Sequence, residues 1–178
     1  VPHTKTGIDE GLNGLAISVF DNTKLTGTPK LYATGMTQTA EPYYDINLTN
    51  SIVTPTDGLS MRATGRVKLD QTGAYTFRLF HGGGARLYID SVLVVNDWST
   101  GDERFSPEGT YTNDFAGKYV SVTIETFKSG TTGTGVNGRA VAVLHQKAPG
   151  QSAPTGTNLT YQLTPEYNLT TSQTVYDS

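Results

Sequence analysis

His81-Gly82-Gly83-Gly84 interrupts the stretch FRLFHGGGARLYID, which otherwise reads as two β-strands. A histidine followed by three glycines matches the oxyanion-hole motif of esterases, in which backbone N–H groups stabilise a tetrahedral oxyanion. That chemistry requires a nucleophile on a G-x-S-x-G elbow, and the chain has none. Gly133-Thr134-Gly135-Val136-Asn137-Gly138 matches G-x-G-x-x-G. A dinucleotide site needs a strand before this motif and a helix after it, so that the helix N-terminus meets the pyrophosphate. Here the motif is followed by RAVAVLH, which reads as a strand, so the glycines read as a hairpin loop. His3, His81 and His145 lack the H-x-x-x-H spacing of a helical metal site, and the absence of cysteine excludes disulfides, thiolate catalysis and cysteine–zinc sites. Three N-x-T tripeptides, at Asn47, Asn158 and Asn168, fit the N-glycosylation acceptor, a weak signal in a Thr-rich chain.

The elements around these residues follow a period of two. In LSMRATGRVKL, Leu59, Met61, Ala63, Val67 and Leu69 point to one face, and the polar residues between them to the other. AYTFRLF and KYVSVTIETF alternate in the same way, and RAVAVLH (139–145) is apolar on both faces, as a central strand would be. Further strands are expected at 14–20, 30–34, 43–48, 85–90 and 92–95. No segment sustains a 3.6-residue period, and short connections such as DQTG and DS favour hairpins. The pattern predicts an all-β fold, an antiparallel β-sandwich. The sandwich is expected over 1–146, a Pro/Gly/Ser/Thr-rich linker over 147–158, and a C-terminal extension over 159–178 too small to fold alone.

The formal net charge is −3, with 13 basic and 16 acidic residues and no run of five like charges, which argues against a nucleic-acid or anionic-membrane partner. No stretch approaches the roughly 18 apolar residues of a membrane-spanning helix. The abrupt start at VPHTKTG and end at TVYDS read as those of a fragment of a longer protein.

Taken in order, GLNGLAISVFDNTKLTGTPKL, MRATGRVKLDQTGAYTFRL and above all GARLYIDSVLVVNDW resemble the opening strand, the central strand pair and the hallmark "GaRLyiDg.lvi..W" of the protective-antigen-type module. This β-sandwich is named after the fourteen-kilodalton piece of the anthrax protective antigen. The resemblance runs over roughly residues 11–146. In sugar-binding members of that family two adjacent aspartates stand just before the GaRL glycine and chelate Ca²⁺, which in turn holds sugar hydroxyls. Gly82 and Gly83 occupy those positions here, with no side-chain oxygen to offer a hard cation, and His81 is a poor calcium ligand. The resemblance therefore implies a degenerate calcium loop whose glycines turn the chain with positive φ. His81, Gly82, Gly83, Gly84, Arg86, Asp97 and Trp98 are the ligand-facing candidates, with Trp98 expected chiefly as a packing anchor. Asp97, Asp102 and Glu103, in the loop after VLVV, are the fallback candidates that could rescue a metal site.

LTPEYNLTTSQTVYDS resembles the start of the repeat region in RHS/YD-repeat proteins, large secreted or surface-associated bacterial polypeptides. Together the two resemblances imply a non-catalytic module with no cofactor, at the cell surface or outside the cell. It would recognise a glycan or surface protein or act as a spacer for the rest of its own polypeptide. The alternative is a calcium-dependent carbohydrate-binding lectin or adhesin domain.

Overall fold

The computed structural model describes residues 15–35, 58–129, 142–156 and 161–162. Twelve strands are described: β1 (Leu15–Phe20), β2 (Leu31–Gly35), β3 (Leu59–Leu69), β4 (Gly73–His81), β5 (Gly84–Ile89), β6 (Val92–Asp97), β7 (Arg104–Phe105), β8 (Gly109–Asn113), β9 (Lys118–Lys128), β10 (Ala142–Lys147), β11 (Thr155–Gly156) and β12 (Tyr161–Gln162). They form two antiparallel sheets, as the period-two pattern predicts. The larger runs β2-β1-β3-β9-β5-β6, with β12 also paired to β3. The smaller runs β11-β10-β4-β7, with β8 also paired to β4.

The alternation in LSMRATGRVKL sends Leu59, Met61, Ala63, Val67 and Leu69 inward and leaves the arginines and Lys68 partly exposed. Ile17, Leu87 and Ile124 of the larger sheet share one core cluster with Tyr75, Phe77 and Leu144 of the smaller. Each such side chain, once fully buried, contributes about 1.5–3 kcal/mol before entropy is counted. Polar groups close the end of the core where β3 passes into β4. The buried Asn113 side chain donates to the carbonyls of Gln71 (2.8 Å) and Phe115 (2.9 Å), and the Gln71 N–H donates to the Tyr75 hydroxyl (2.9 Å). Asp90 and Ser91, with φ of 51° and 65°, turn β5 into β6. Two consecutive positive φ values are what a two-residue type I′ hairpin requires.

Several expectations need correction. Strands β7 and β8 carry no long apolar alternation, and their sequences give no strand signal. The expected linker is, through residue 156, part of the smaller sheet: Lys147 ends β10, and Thr155–Gly156 pairs with Gln146 and His145. A short turn makes this return possible. The Gln151 N–H donates to the Ala148 carbonyl, and the Ala148 N–H donates back to the Gln151 side-chain oxygen, both at 3.0 Å. Beyond it, Tyr161 and Gln162 pair with Val67 and Arg66. The expected strand at 43–48, the glycine-rich motif at 133–138, residues 139–141 and the segment 163–178 lie outside the described residues, as do Asn47, Asn158 and Asn168.

Candidate functional site

The His81–Gly84 corner joins the two sheets, because β4 belongs to the smaller and β5 to the larger. Register brings three other elements to the same end: Gly84 lies opposite Phe127 of β9, Ala85 opposite Asp97 of β6, and His81 opposite Arg104 of β7. The glycines are there for separate reasons. Gly83 has φ +63°, and a Cβ on it would lie 1.9 Å from the Phe127 carbonyl oxygen. Gly84 has no such φ, but its Cβ would lie 2.1 Å from the Phe127 ring. So only one glycine of the three turns the chain with positive φ, and its neighbour makes room for an aromatic ring. Trp98 packs edge-on against that ring at 4.6 Å between centroids, and the Arg86 guanidinium sits 3.7 Å from the centre of the Trp98 ring. Trp98 is thus engaged on two sides as a packing anchor.

His81 is fully buried, with 0% relative exposure. Its Nδ1 lies 3.1 Å from the Gly83 carbonyl oxygen and its Nε2 2.9 Å from Oδ2 of Asp97. Both partners are acceptors, so the neutral ring donates to one of them at a time, and both nitrogens face protein atoms and not solvent. Burial is the largest influence on the ring and pushes its pKa below the ordinary 6.5. The Asp97 charge opposes this, while the Arg104 charge adds to it. Burial alone would raise the Asp97 pKa, but the hydrogen bond and charge of Arg104, with help from His81, hold it below the ordinary 3.8.

Arg104 fixes the loop that follows β6. Its Nε donates to Asp97 Oδ2 at 3.1 Å, its Nη1 to the Asp102 carbonyl at 3.1 Å, and its Nη2 to the Ser99 carbonyl at 3.1 Å. The Gly83 N–H donates to the Gly101 carbonyl at 3.0 Å, tying the glycine corner to the same loop. Arg104 was not among the residues singled out in the sequence. The only signal available was a lone arginine two positions after Asp102 and seven after Asp97, which no motif distinguishes from a solvated charge.

These residues do not fit a calcium ion. Six to eight oxygen ligands are needed, several of them charged. Gly82 and Gly83 supply none from side chains; the Gly83 carbonyl faces His81, and the Gly82 carbonyl accepts from the Thr126 hydroxyl at 3.4 Å. Asp97 Oδ2 is shared between His81 and Arg104, and the guanidinium beside it would repel a cation. Asp102 is exposed, with its carbonyl taken by Arg104, and Glu103 is partly buried. Among the described residues no three His, Cys, Asp or Glu side chains are grouped to hold a metal. The fully buried His81 ring is also shut off from solvent, whereas a general base needs a ring nitrogen that can reach a substrate proton.

On the outer face of the larger sheet, Arg62, Glu125 and Arg86 stand in one cross-strand row. Glu125, only 6% exposed, accepts from Arg62 Nε at 2.9 Å and pairs with Arg86 Nη2 at 3.0 Å. Arg86 is therefore held between Glu125 and Trp98. No helix among the described residues is long and apolar enough to cross a membrane.

Among curated proteins, none matches the chain. Solved structures do. An anti-sigma factor domain-containing protein from Clostridium clariflavum superposes with a TM-score of 0.64 at 24% identity, over 86% of this chain and 48% of that one, so the chain spans about half of its length. The PA14 sugar-binding domain of an RTX adhesin superposes with a TM-score of 0.55 at 16% identity, over 85% of this chain and 99% of the adhesin domain. The epithelial adhesin 9 A domain from Candida glabrata, solved with Galβ1-4GlcNAc, gives 0.55 at 10% identity, over 85% and 90% of the two chains. At these identities the likeness is one of fold. The PA14 domain family itself matches residues 11–152, most of the chain and all of the GARLYIDSVLVVNDW hallmark. The chain belongs to the PA14 domain family, the protective-antigen-type module.

Proposed function

We propose that this chain is a non-catalytic recognition module of a larger extracellular or cell-surface protein, and that it engages glycans without a calcium ion at the His81 corner. One observation carries the reading. The corner that would correspond to the calcium loop is built from buried groups that satisfy one another: His81 on Gly83 and Asp97, Arg104 on Asp97, Ser99 and Asp102. Such a site can stiffen a sandwich end, but Gly82 and Gly83 leave it without the adjacent pair of carboxylates that would bridge a metal to sugar hydroxyls. A recognition role is supported by the adhesin domains that share the fold, one of them named as sugar-binding and another solved with a disaccharide. A non-enzymatic role is supported by the engagement of both His81 nitrogens. The RHS/YD-repeat origin rests on LTPEYNLTTSQTVYDS alone, all of it outside the described residues.

The test is a glycan array probed with the chain in calcium buffer and again in a chelator. The reading expects the same glycans to bind in both. Binding lost in the chelator and restored by Ca²⁺ would return the module to the calcium-dependent class. Binding to nothing in either buffer would remove glycan recognition altogether.

A further inference from the structure

The outer face of the smaller sheet contrasts with the buried corner. Phe80 of β4 lies opposite Phe105 of β7 and Val143 of β10, and in the next row of that face Arg78 lies opposite His145. The row after that places Lys147 opposite Thr76. Phe105 is 49% exposed although it is a large aromatic on a two-residue strand. The Arg78 guanidinium lies 3.9 Å from the centre of its ring. Phe80 and His145 meet it edge-on, at 5.2 Å and 5.3 Å between centroids. The ring is therefore held rigidly by three neighbours while half of its surface stays open.

Among the described residues, neither Arg78 nor Lys147 takes part in an ion pair, whereas Arg62, Arg86 and Arg104 each do. The Arg78 Nε is buried with no hydrogen-bond partner. In a chain of net charge −3, two cations in adjacent cross-strand rows remain without a carboxylate. Diagonal neighbours of this kind stand about 7–8 Å apart, close enough for one anionic ligand to meet both.

We infer that the exposed Phe105 ring, seated on Arg78 with Lys147 one row away, forms a second binding site that takes a carboxylate-bearing sugar of the uronic-acid class. The apolar C–H face of the pyranose stacks on the open side of Phe105, as aliphatic and aromatic surfaces do when both are partly desolvated. The carboxylate pairs with Arg78 and Lys147, neither of which has an ion-pair partner among the described residues. An aromatic ring alone would accept any sugar; the unpaired cations make the site select an acidic one. This inference rests on the glycan-recognition reading for its class of ligand but not for its place, which is the outer face of the smaller sheet, one register pair along β4 and β7 from the corner.

The experiment is a heteronuclear NMR titration of the whole 178-residue chain with a galacturonic acid trisaccharide, and in parallel with the neutral galactose trisaccharide. The expected result is saturable shifts at Arg78, Phe105 and Lys147 with the acidic sugar, and at least about tenfold weaker binding of the neutral one. Phe105→Leu keeps an apolar contact and removes the stacking face; Arg78→Gln keeps length and removes charge. Each should weaken the acidic sugar about tenfold or more, with amide spectra elsewhere unchanged, while Phe105→Trp should preserve binding. Equal affinity for the two sugars, or affinity unmoved by both Phe105→Leu and Arg78→Gln, would overturn the site. Shifts confined to residues 81–84 and 98–104 would overturn it and leave glycan recognition standing at the other location. No shifts with either sugar would also overturn it, and the array then decides recognition as a whole.

Discussion

Two regions of this molecule carry histidine, arginine and an aromatic ring, and they use them in opposite ways. At the corner, His81, Asp97 and Arg104 are bound to one another and to backbone carbonyls, and Phe127 is wedged between Gly84 and Trp98. On the smaller sheet, Arg78 touches Phe105 and, among the described residues, no carboxylate, and Phe105 is half open. The residue types that suggest chemistry most strongly in the sequence, HGGG, are spent on structure. Residues that suggest nothing there, a phenylalanine and an arginine 27 positions apart, make the open surface. Saturation by partners, and not residue type, separates a structural cluster from a site with capacity to bind.

The comparison can be broken most easily at Gly83. Alanine there must adopt φ near +63° and place a Cβ 1.9 Å from the Phe127 carbonyl. Forcing the backbone apart should cost about 3 kcal/mol or more, read as a loss of chemical-denaturation midpoint with little change in slope. A loss under about 0.5 kcal/mol would mean that the corner is loose and available.

Asp97→Ala is next. It strips His81 and Arg104 of their shared carboxylate, leaving a guanidinium partly buried beside a buried ring, and should cost about 2 kcal/mol in equilibrium unfolding. Glu125→Gln should cost about 1–2 kcal/mol, because Arg62 and Arg86 retain some contact with water and regain hydration in part.

Acid should act on the corner in two stages. The folded-state pKa of His81 lies below its ordinary 6.5, so the fold favours the neutral ring; its contribution is complete above about pH 6.5 and is lost as pH falls through the lowered value. Asp97, also lowered below its ordinary 3.8, contributes above about pH 4 and is lost below that. Melting temperature should therefore fall between pH 7.5 and pH 5, and that fall should shrink in His81→Gln. A melting temperature that rises on acidification over this range would reverse the sign assigned to His81.

The smallest expected effect lies on the open face. Arg78→Gln and Phe105→Leu should each cost no more than about 1 kcal/mol, since each removes the half-solvated cation–π contact and the second also the edge contacts to Phe80 and His145. A loss of 2 kcal/mol at either would place that residue in the framework, like Asp97.

Much of the fold was legible. LSMRATGRVKL and KYVSVTIETFK alternate over most of their length, and both form eleven-residue strands paired from end to end. Asp90-Ser91 stood between two clear strand runs and makes the hairpin. The short strands β7 and β8 were not legible, since Arg104–Phe105 is too short to show a period and GTYTN is rich in residues common to turns. The return of residues 147–156 to the sheet was hidden by its composition, because Pro149 and Gly150 mark a turn equally well inside a sheet and in a linker. At the site, the missing carboxylates at 82 and 83 could be read directly from residue type. The roles of Arg104, Phe105 and Arg78 could not. They depend on cross-strand neighbours from β4, β7 and β10, distant in sequence and brought together only by the register of the smaller sheet.

The central claim is that the corner holds the sandwich together and does not hold calcium. Isothermal titration of the chain with CaCl₂ tests it most directly. The expected result is no saturable heat at concentrations up to about 1 mM, the weak limit of extracellular calcium modules. A dissociation constant below about 100 μM that disappears in Asp97→Ala would contradict it, by showing that the carboxylate now shared by His81 and Arg104 can be given up to a metal.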